Sequence, residues 1–285
     1  MNNKFTYFVL LSIFFISFSC STDDPKVEHL EAVSYYDEAY GSDDLQKYNI
    51  HLPEGRDTKT PVIVLVHGGS WIGGDKNDMQ FIIDEIKVIL PEFAIANINY
   101  RLLTFTENKH PTQINDIESF IVDLESKSDD FQISDDYYFI GTSAGGHLSL
   151  LYTYTKNKNN DIKAVASIVG PTNFTDDAYV NSGNSDFDLL SFTFLGDSYQ
   201  NNPGLYEDAS PLFHVTSSSA PTILFYGGKD ELIPVSQGID LKDKLTEFGV
   251  RHEYIFYPEE GHGWEGENAV DTFIRITEFF REIHD

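Results

Sequence analysis

The sequence has very little cysteine and an unusually small share of positive charge. Its single cysteine, Cys20, excludes an intrachain disulfide. It carries 19 Lys and Arg against 46 Asp and Glu, a formal net charge of −27. A surface of that charge repels phosphates, which argues against a nucleic-acid partner. No Cys and His residues have the spacing of metal ligands, so we expect no metal and no cofactor.

Long apolar runs are also scarce, and the N-terminal one is too short to span a bilayer comfortably. Lys4 precedes this apolar segment, 7–18, and small residues stand next to Cys20. The arrangement resembles the signal peptide and lipobox of bacterial lipoproteins. It implies a removed segment at 1–19, a membrane anchor through lipid on Cys20, a tether at 20–29 and a cell-envelope location. An ordinary secretory signal that contains a cysteine is the alternative.

What the sequence does contain is a regular alternation of strand and helix patterns. Eight strands are predicted, at 30–52 (an opening pair), 62–66, 93–98, 137–140, 162–169, 222–226 and 252–257. The run 62–66 is apolar throughout, as in a parallel strand buried on both faces. We therefore predict one α/β domain over 30–285, with a mostly parallel eight-stranded sheet flanked by helices.

Besides a helix after the strand at 137–140, with apolar residues at Leu148, Leu150, Leu151 and Tyr154, four helices are predicted between and after these strands. They span 78–90, about 111–124, 235–248 and the segment from Asn268 onward. The first should bury Phe81, Ile82, Ile86 and Ile89, and the last Val270, Phe273, Ile274, Thr277 and Phe280. Residues 171–221 interrupt the alternation, and we interpret them as a small cap-like insertion with one short helix near 186–195.

The segment Gly141-Thr142-Ser143-Ala144-Gly145 follows a predicted strand and precedes a helix. Gly-x-Ser-x-Gly in that context is the nucleophile elbow, a turn so tight that the neighbours of the serine must be small. Ser143 is therefore the candidate nucleophile. Taken alone, the pentapeptide could also be a flexible turn.

An activated serine needs a base and a carboxylate that orients the base. Asp230 directly follows the strand predicted at 222–226, and His262 follows the one at 252–257. Both should therefore lie at the same edge of the sheet as Ser143, in the chain order Ser, Asp, His. Of nine histidines, only His262 satisfies this order. His147, on the elbow helix, is interpreted as a packed structural residue.

The oxyanion of an acyl-transfer intermediate needs preorganised N–H donors. The residue after the nucleophile, Ala144, supplies one. The segment His67-Gly68-Gly69-Ser70-Trp71 follows the strand 62–66, and its glycines allow the backbone to approach a substrate carbonyl closely. Gly69 and Ser70 are the candidate donors from this loop.

These motifs, with Asn99-Tyr100-Arg101-Leu102 and Ala209-Ser210-Pro211, resemble α/β-hydrolase fold esterases. The resemblance covers about 30–283 and is nearest to the carboxylesterase and feruloyl-esterase-like branch with His-Gly-Gly-x-Trp. It implies that Ser143 is the nucleophile, His262 the base and Asp230 its partner. It also implies structural roles for Arg101, Gln113, Asp116 and Ser210.

The predicted activity is ester hydrolysis through an acyl-enzyme, on short-chain or aromatic acyl groups carried by a small molecule or a glycan. An arylformamidase-type amide hydrolase, a serine peptidase and a non-catalytic binding module are the alternatives. A glycosidase carboxylate pair at Glu259-Glu260 is disfavoured, because adjacent residues rarely face each other across a sugar bond. No oligomeric state is predicted.

Overall fold

One twisted sheet forms the centre of the fold. The computed structural model of the chain describes residues 29–180 and 185–285. In these ranges the strands are β1 (Val33–Ala39), β2 (Lys47–Leu52), β3 (Val62–Val66), β4 (Ala94–Ile98), β5 (Tyr137–Thr142), β6 (Ile162–Ile168), β7 (Thr222–Gly227) and β8 (His252–Tyr257). Their order is β1-β2-β4-β3-β5-β6-β7-β8, with β2 antiparallel to both neighbours and the other pairs parallel. The predicted mostly parallel sheet of eight strands is confirmed.

Helices cover both faces of the sheet. They are α1 (Gln80–Ile89), α2 (Thr112–Ser126), α3 (Ser128–Phe131), α4 (Ala144–Lys156), α5 (Asp177–Val180), α6 (Ser185–Leu195), α7 (Pro203–Asp208), α8 (Val235–Glu247) and α9 (Gly266–His284). Alternate residues of β3 point to opposite sides: Val64 joins the core formed with α2, α4 and α8, and Ile63 the core formed with α1 and α9. Because β3 is buried on both faces, its sequence is apolar without alternation.

Some of the predicted inward residues are wrong. Phe81 is 56% exposed and packs edge-to-face on Phe273 of α9, while Ile83 is fully buried in its place. On α9, Val270 and Ile274 lie at the exposed margin, 56% and 41% accessible. On each helix, the apolar residues form a face that is wider than the part in contact with the sheet. Residues at the margin of this face contact the neighbouring helix or solvent instead.

Residues 171–221 contain more helix than expected. The predicted short helix corresponds to α6, but α5, α7 and a 3₁₀ turn at Pro211–His214 were not predicted. The two missed helices have four and six residues, too short to show helical periodicity. A proline opens α7, where its missing N–H costs no hydrogen bond.

The N-terminal predictions, the signal segment 1–19, lipidation at Cys20 and most of the tether, lie outside the described residues. Across 29–180 and 185–285, no helix has the length and apolar character needed to cross a bilayer.

Candidate active site

The nucleophile elbow is a strained turn between β5 and α4. Ser143 has φ 52° and ψ −121°, a conformation that costs a residue with a side chain of order 1–3 kcal/mol. Its N–H donates to the carbonyl of Ile168 on β6, and its own carbonyl accepts from the N–H of His147 on α4. The strand, the helix and the neighbouring strand therefore all fix the position of the serine.

Gly145 shows why this turn needs small residues. A Cβ placed on it would overlap the carbonyl oxygens of Val66 and His67, at the end of β3. The helix α4 can start this close to β3 only because a hydrogen atom stands at that position.

The structure brings the three predicted side chains together. Ser143 Oγ lies 2.8 Å from His262 Nε2, and His262 Nδ1 lies 2.8 Å from Asp230 Oδ2. Since a carboxylate only accepts, the ring proton lies on Nδ1, and Nε2 is free to accept the serine proton. This is the arrangement that activates a serine for attack on a carbonyl.

The Asp230 side chain is fully buried, while 26% of the His262 side chain is exposed. Burial by itself would raise the pKa of the Asp230 carboxyl. Hydrogen bonds from His262 and from the N–H groups of Ile233 and Leu232 outweigh burial and hold the pKa of Asp230 below its ordinary value. The carboxylate therefore stays ionised and fixed beside the imidazole.

The loops that carry Asp230 and His262 touch each other directly. Lys229 N–H donates to the carbonyl of Glu260, and a Cβ on Gly227 would overlap the carbonyl of Gly261. Glu259 pairs with Lys229, and Glu260 accepts from Asn268. These two carboxylates therefore have separate partners.

The loop after β3 lies against Ser143. A Cβ on Gly68 would stand 3.2 Å from Ser143 Cβ, so the loop and the elbow are in van der Waals proximity. Gly69, Ser70 and Trp71 follow with φ of 108°, 52° and 62°. Among the described residues, no hydrogen bond uses the N–H of Gly69 or Ser70. Ala144, at the first position of α4, offers the N–H that a helix start leaves unpaired.

An apolar groove of about 430 Å³ adjoins this loop. Its lining is Ser70, Ile72, Leu103, Thr104, Phe105, Leu189, Leu190 and Thr193. Leu103 and Phe105 are not among the predicted site residues, although they follow β4 at the edge of the sheet that carries the site.

The structure also shows a contact between Trp71 and His147 that the sequence does not predict. His147 is fully buried, as predicted for a packed residue, but its Nδ1 lies 3.3 Å from the indole Nε1 of Trp71. The partly exposed Arg101 pairs with the fully buried Asp116, and Ser210 Oγ accepts from Phe174 N–H, in agreement with structural roles. The described residues contain no cluster of three or more His, Cys, Asp or Glu placed to hold a metal ion.

The chain is similar in sequence to one protein family and to several curated esterases. A family model described as BD-FAE matches residues 48–245. Esterase LipC of Mycobacterium tuberculosis is 25% identical over 262 residues, which cover 86% of this chain and 64% of LipC. The chain spans about half to two-thirds of the length of LipC and of two further mycobacterial relatives, LipM and LipQ.

Solved structures share the fold. A truncated carbohydrate esterase from gut microbiota superposes with a TM-score of 0.74 at 21% identity, covering 88% of this chain and 96% of that one. A bifunctional GH43-CE protein of Bacteroides eggerthii gives a TM-score of 0.76 at 22% identity, covering 88% of this chain and 35% of that one. The predicted α/β-hydrolase fold is confirmed.

Proposed function

The chain belongs to the BD-FAE family, and from this membership and the geometry of its site we propose that it is a serine carboxylic ester hydrolase. One observation carries the proposal. Three side chains from distant parts of the chain form a continuous hydrogen-bonded relay, Ser143 to His262 to Asp230, with 2.8 Å at each step. The sequence similarity to esterases of M. tuberculosis supports the same activity.

The proposed mechanism proceeds through an acyl-enzyme. Ser143 Oγ attacks the ester carbonyl while His262 Nε2 takes its proton, and His262 then protonates the leaving alkoxide. In the second half, His262 takes a proton from a water molecule that attacks the acyl carbon, and it returns the proton to Ser143 Oγ as the acid leaves. Asp230 holds the imidazole in the required tautomer and stabilises its charged form.

The oxyanion is stabilised in this proposal by the N–H groups of Gly69, Ser70 and Ala144. These amides are fixed in the free protein, so they need no rearrangement when negative charge develops on the substrate oxygen. The left-handed backbone at Gly69 and Ser70 is consistent with a loop whose shape serves the site and not the fold alone.

The groove beside Ser70 supports an ester with a short-chain or aromatic acyl group. Its walls are largely aliphatic and aromatic, and its volume of about 430 Å³ suits a group of that size. The resemblance to a carbohydrate esterase and to an acetyl ester-xyloside bifunctional hydrolase makes acyl groups on polysaccharides the proposed natural substrates.

Replacement of the nucleophile tests the activity. Ser143→Ala should lower kcat/KM for p-nitrophenyl acetate at least about 10³-fold, because the variant has no group that can form the acyl-enzyme. Wild type should label with a fluorophosphonate, and Ser143→Ala should not. Ser149→Ala is the matched control on the same helix, since Ser149 Oγ is buried with no hydrogen-bond partner among the described residues. Turnover by Ser143→Ala at the wild-type rate would contradict the proposal.

We further propose that the mature protein is an exported lipoprotein of the bacterial cell envelope, anchored through Cys20. Lys4, the apolar segment 7–18 and the position of the sole cysteine support this proposal. Radiolabelled palmitate fed to an expressing bacterium should enter the wild type and not Cys20→Ala. Equal incorporation into both would contradict the lipid anchor.

A further inference from the structure

The loop after β3, which carries the proposed oxyanion donors Gly69 and Ser70, contains two consecutive non-glycine residues in a left-handed conformation. Ser70 and Trp71 have φ of 52° and 62°, where L residues are strained, and the strain must be balanced by contacts elsewhere. Within the loop, the N–H groups of Ile72 and Gly73 both donate to the carbonyl of Gly69. These two bonds close the turn but do not tie it to the nucleophile.

The Trp71 side chain provides that tie. It is 2% exposed, stacks on Phe194 at 4.4 Å between ring centroids, and meets the His147 ring at a right angle. The carbonyl of Trp71 accepts from the N–H of Leu103, a wall of the apolar groove. The residue is thus held by its ring and by its backbone.

His147 is the polar partner of Trp71, and its surroundings determine its tautomer and its protonation state. Its Nε2 lies 2.7 Å from the carbonyl of Ala209, which can only accept, so the ring proton is on Nε2. Nδ1 therefore carries a lone pair and accepts from the indole N–H of Trp71 at 3.3 Å. Complete burial lowers the pKa of His147 to about 3, so the ring is neutral at ordinary pH.

His147 is also joined to the nucleophile. Its backbone N–H donates to the carbonyl of Ser143 at 3.0 Å, in the first turn of α4. One residue therefore contacts the backbone of the elbow through its main chain and the strained loop through its ring. The two sets of oxyanion donors, Ala144 on the helix and Gly69 and Ser70 on the loop, are connected through it.

We propose that the hydrogen bond between Trp71 and His147 positions the Ser70 N–H for the oxyanion, which makes both residues positioning residues for transition-state stabilisation. The inference rests on the proposed esterase function. Without the bond, the loop retains its internal turn and its aromatic packing but loses the polar contact that joins the Trp71 indole to α4. The loss falls on the transition state, because the ester carbonyl before attack depends little on these donors.

The test compares an ester with its thionoester, in which sulfur replaces the carbonyl oxygen. Sulfur is a weak hydrogen-bond acceptor. The ratio of kcat/KM for the oxygen ester to kcat/KM for the thionoester therefore measures the contribution of the oxyanion donors. The ratio is taken on one preparation, so it is independent of the fraction of folded enzyme. A change that only lowers stability affects both substrates equally.

Trp71→Phe keeps an aromatic ring and removes the donor. We expect kcat for the oxygen ester to fall about tenfold with KM within about twofold, and the ratio to shrink about fivefold or more. His147→Leu should shrink the ratio similarly, whereas His147→Gln, which retains an acceptor and a donor, should preserve most of it. The double variant Trp71→Phe/His147→Leu should shrink it no further than either single change.

Trp264→Phe is the matched control. This variant removes the other indole N–H, which donates to Thr272 at 2.9 Å. Whatever its effect on overall rate, its substrate ratio should stay within about twofold of wild type. An unchanged ratio in Trp71→Phe, with active wild type, would overturn the inference and leave the esterase function standing. A wild type that hydrolyses neither substrate would overturn both.

Discussion

The two halves of the candidate site are built in different ways. The nucleophile half, formed by the elbow and the loop after β3, lies at the centre of the sheet and is fixed by close backbone approach. The base half, formed by the loops after β7 and β8, lies near the edge and is fixed by hydrogen bonds to Asp230 and between the two loops. The Trp71 ring on the first side is 2% exposed, but the His262 side chain on the second is 26% exposed.

This difference matches the tasks that we propose for each half. Amide donors act by orientation set before the substrate arrives, so they benefit from a rigid, buried support. An imidazole that takes and returns protons also has to exchange them with water, and a partly exposed position permits this. The comparison therefore predicts that added volume is tolerated poorly beside Ser143, at Gly145, and well beside His262, at Gly263.

The sharpest test of this comparison places one methyl group in each half. In Gly145→Ala, the new Cβ overlaps the carbonyls of Val66 and His67, and the free energy of unfolding should fall by about 3 kcal/mol. In Gly263→Ala, directly after His262, the new Cβ meets nothing within 4 Å, and the change should stay within about 0.5 kcal/mol. Urea denaturation of both variants measures the difference. Equal losses would show that steric restraint does not distinguish the surroundings of Ser143 from those of His262.

The two halves should also differ, by a smaller amount, in how the titration of their residues makes the free energy of unfolding depend on pH. Burial lowers the pKa of His147 to about 3, below the value of 6.5 expected in the unfolded chain. The unfolded state therefore binds this proton first, and stability falls as pH drops from about 6.5 toward 3. His147→Gln removes the group, so its unfolding free energy should depend less steeply on pH in this window. Residual slope is expected from His51 and His110, whose pKa values burial also lowers, to about 4.

Asp230 titrates in a separate window. Its folded pKa lies below the ordinary value of 3.8, so its ionised form stabilises the fold above that pH, and this contribution is lost as pH falls through the folded pKa. In Asp230→Asn, the free energy of unfolding should therefore depend on pH as in wild type between pH 6.5 and 4. Below pH 4, it should fall less steeply with decreasing pH than in wild type. Chemical denaturation at a series of pH values measures both slopes. A slope in His147→Gln equal to that of wild type would show that His147 is not held neutral by the fold.

The positions of Ser143, Asp230 and His262 could be predicted because each follows a strand. Carboxyl ends of parallel strands meet at one edge of a sheet, so residues placed directly after them are brought close whatever their distance in the sequence. The buried faces of α1 and α9 were predicted less accurately. Phe81 and Val270 are apolar at helical spacing, yet the limit of burial depends on where the neighbouring helix lies, which no local pattern contains.

The local framework follows from the amino-acid sequence alone: buried strands from apolar runs, a strained elbow from a serine among glycines, and the order of the site residues along the chain. The tautomer of His147, its contact with Trp71 and the 2.8 Å between Ser143 and His262 depend on the assembled fold. The reason is physical. Backbone preferences act between neighbours, whereas these contacts join residues 76 and 119 positions apart and exist only after the sheet has assembled.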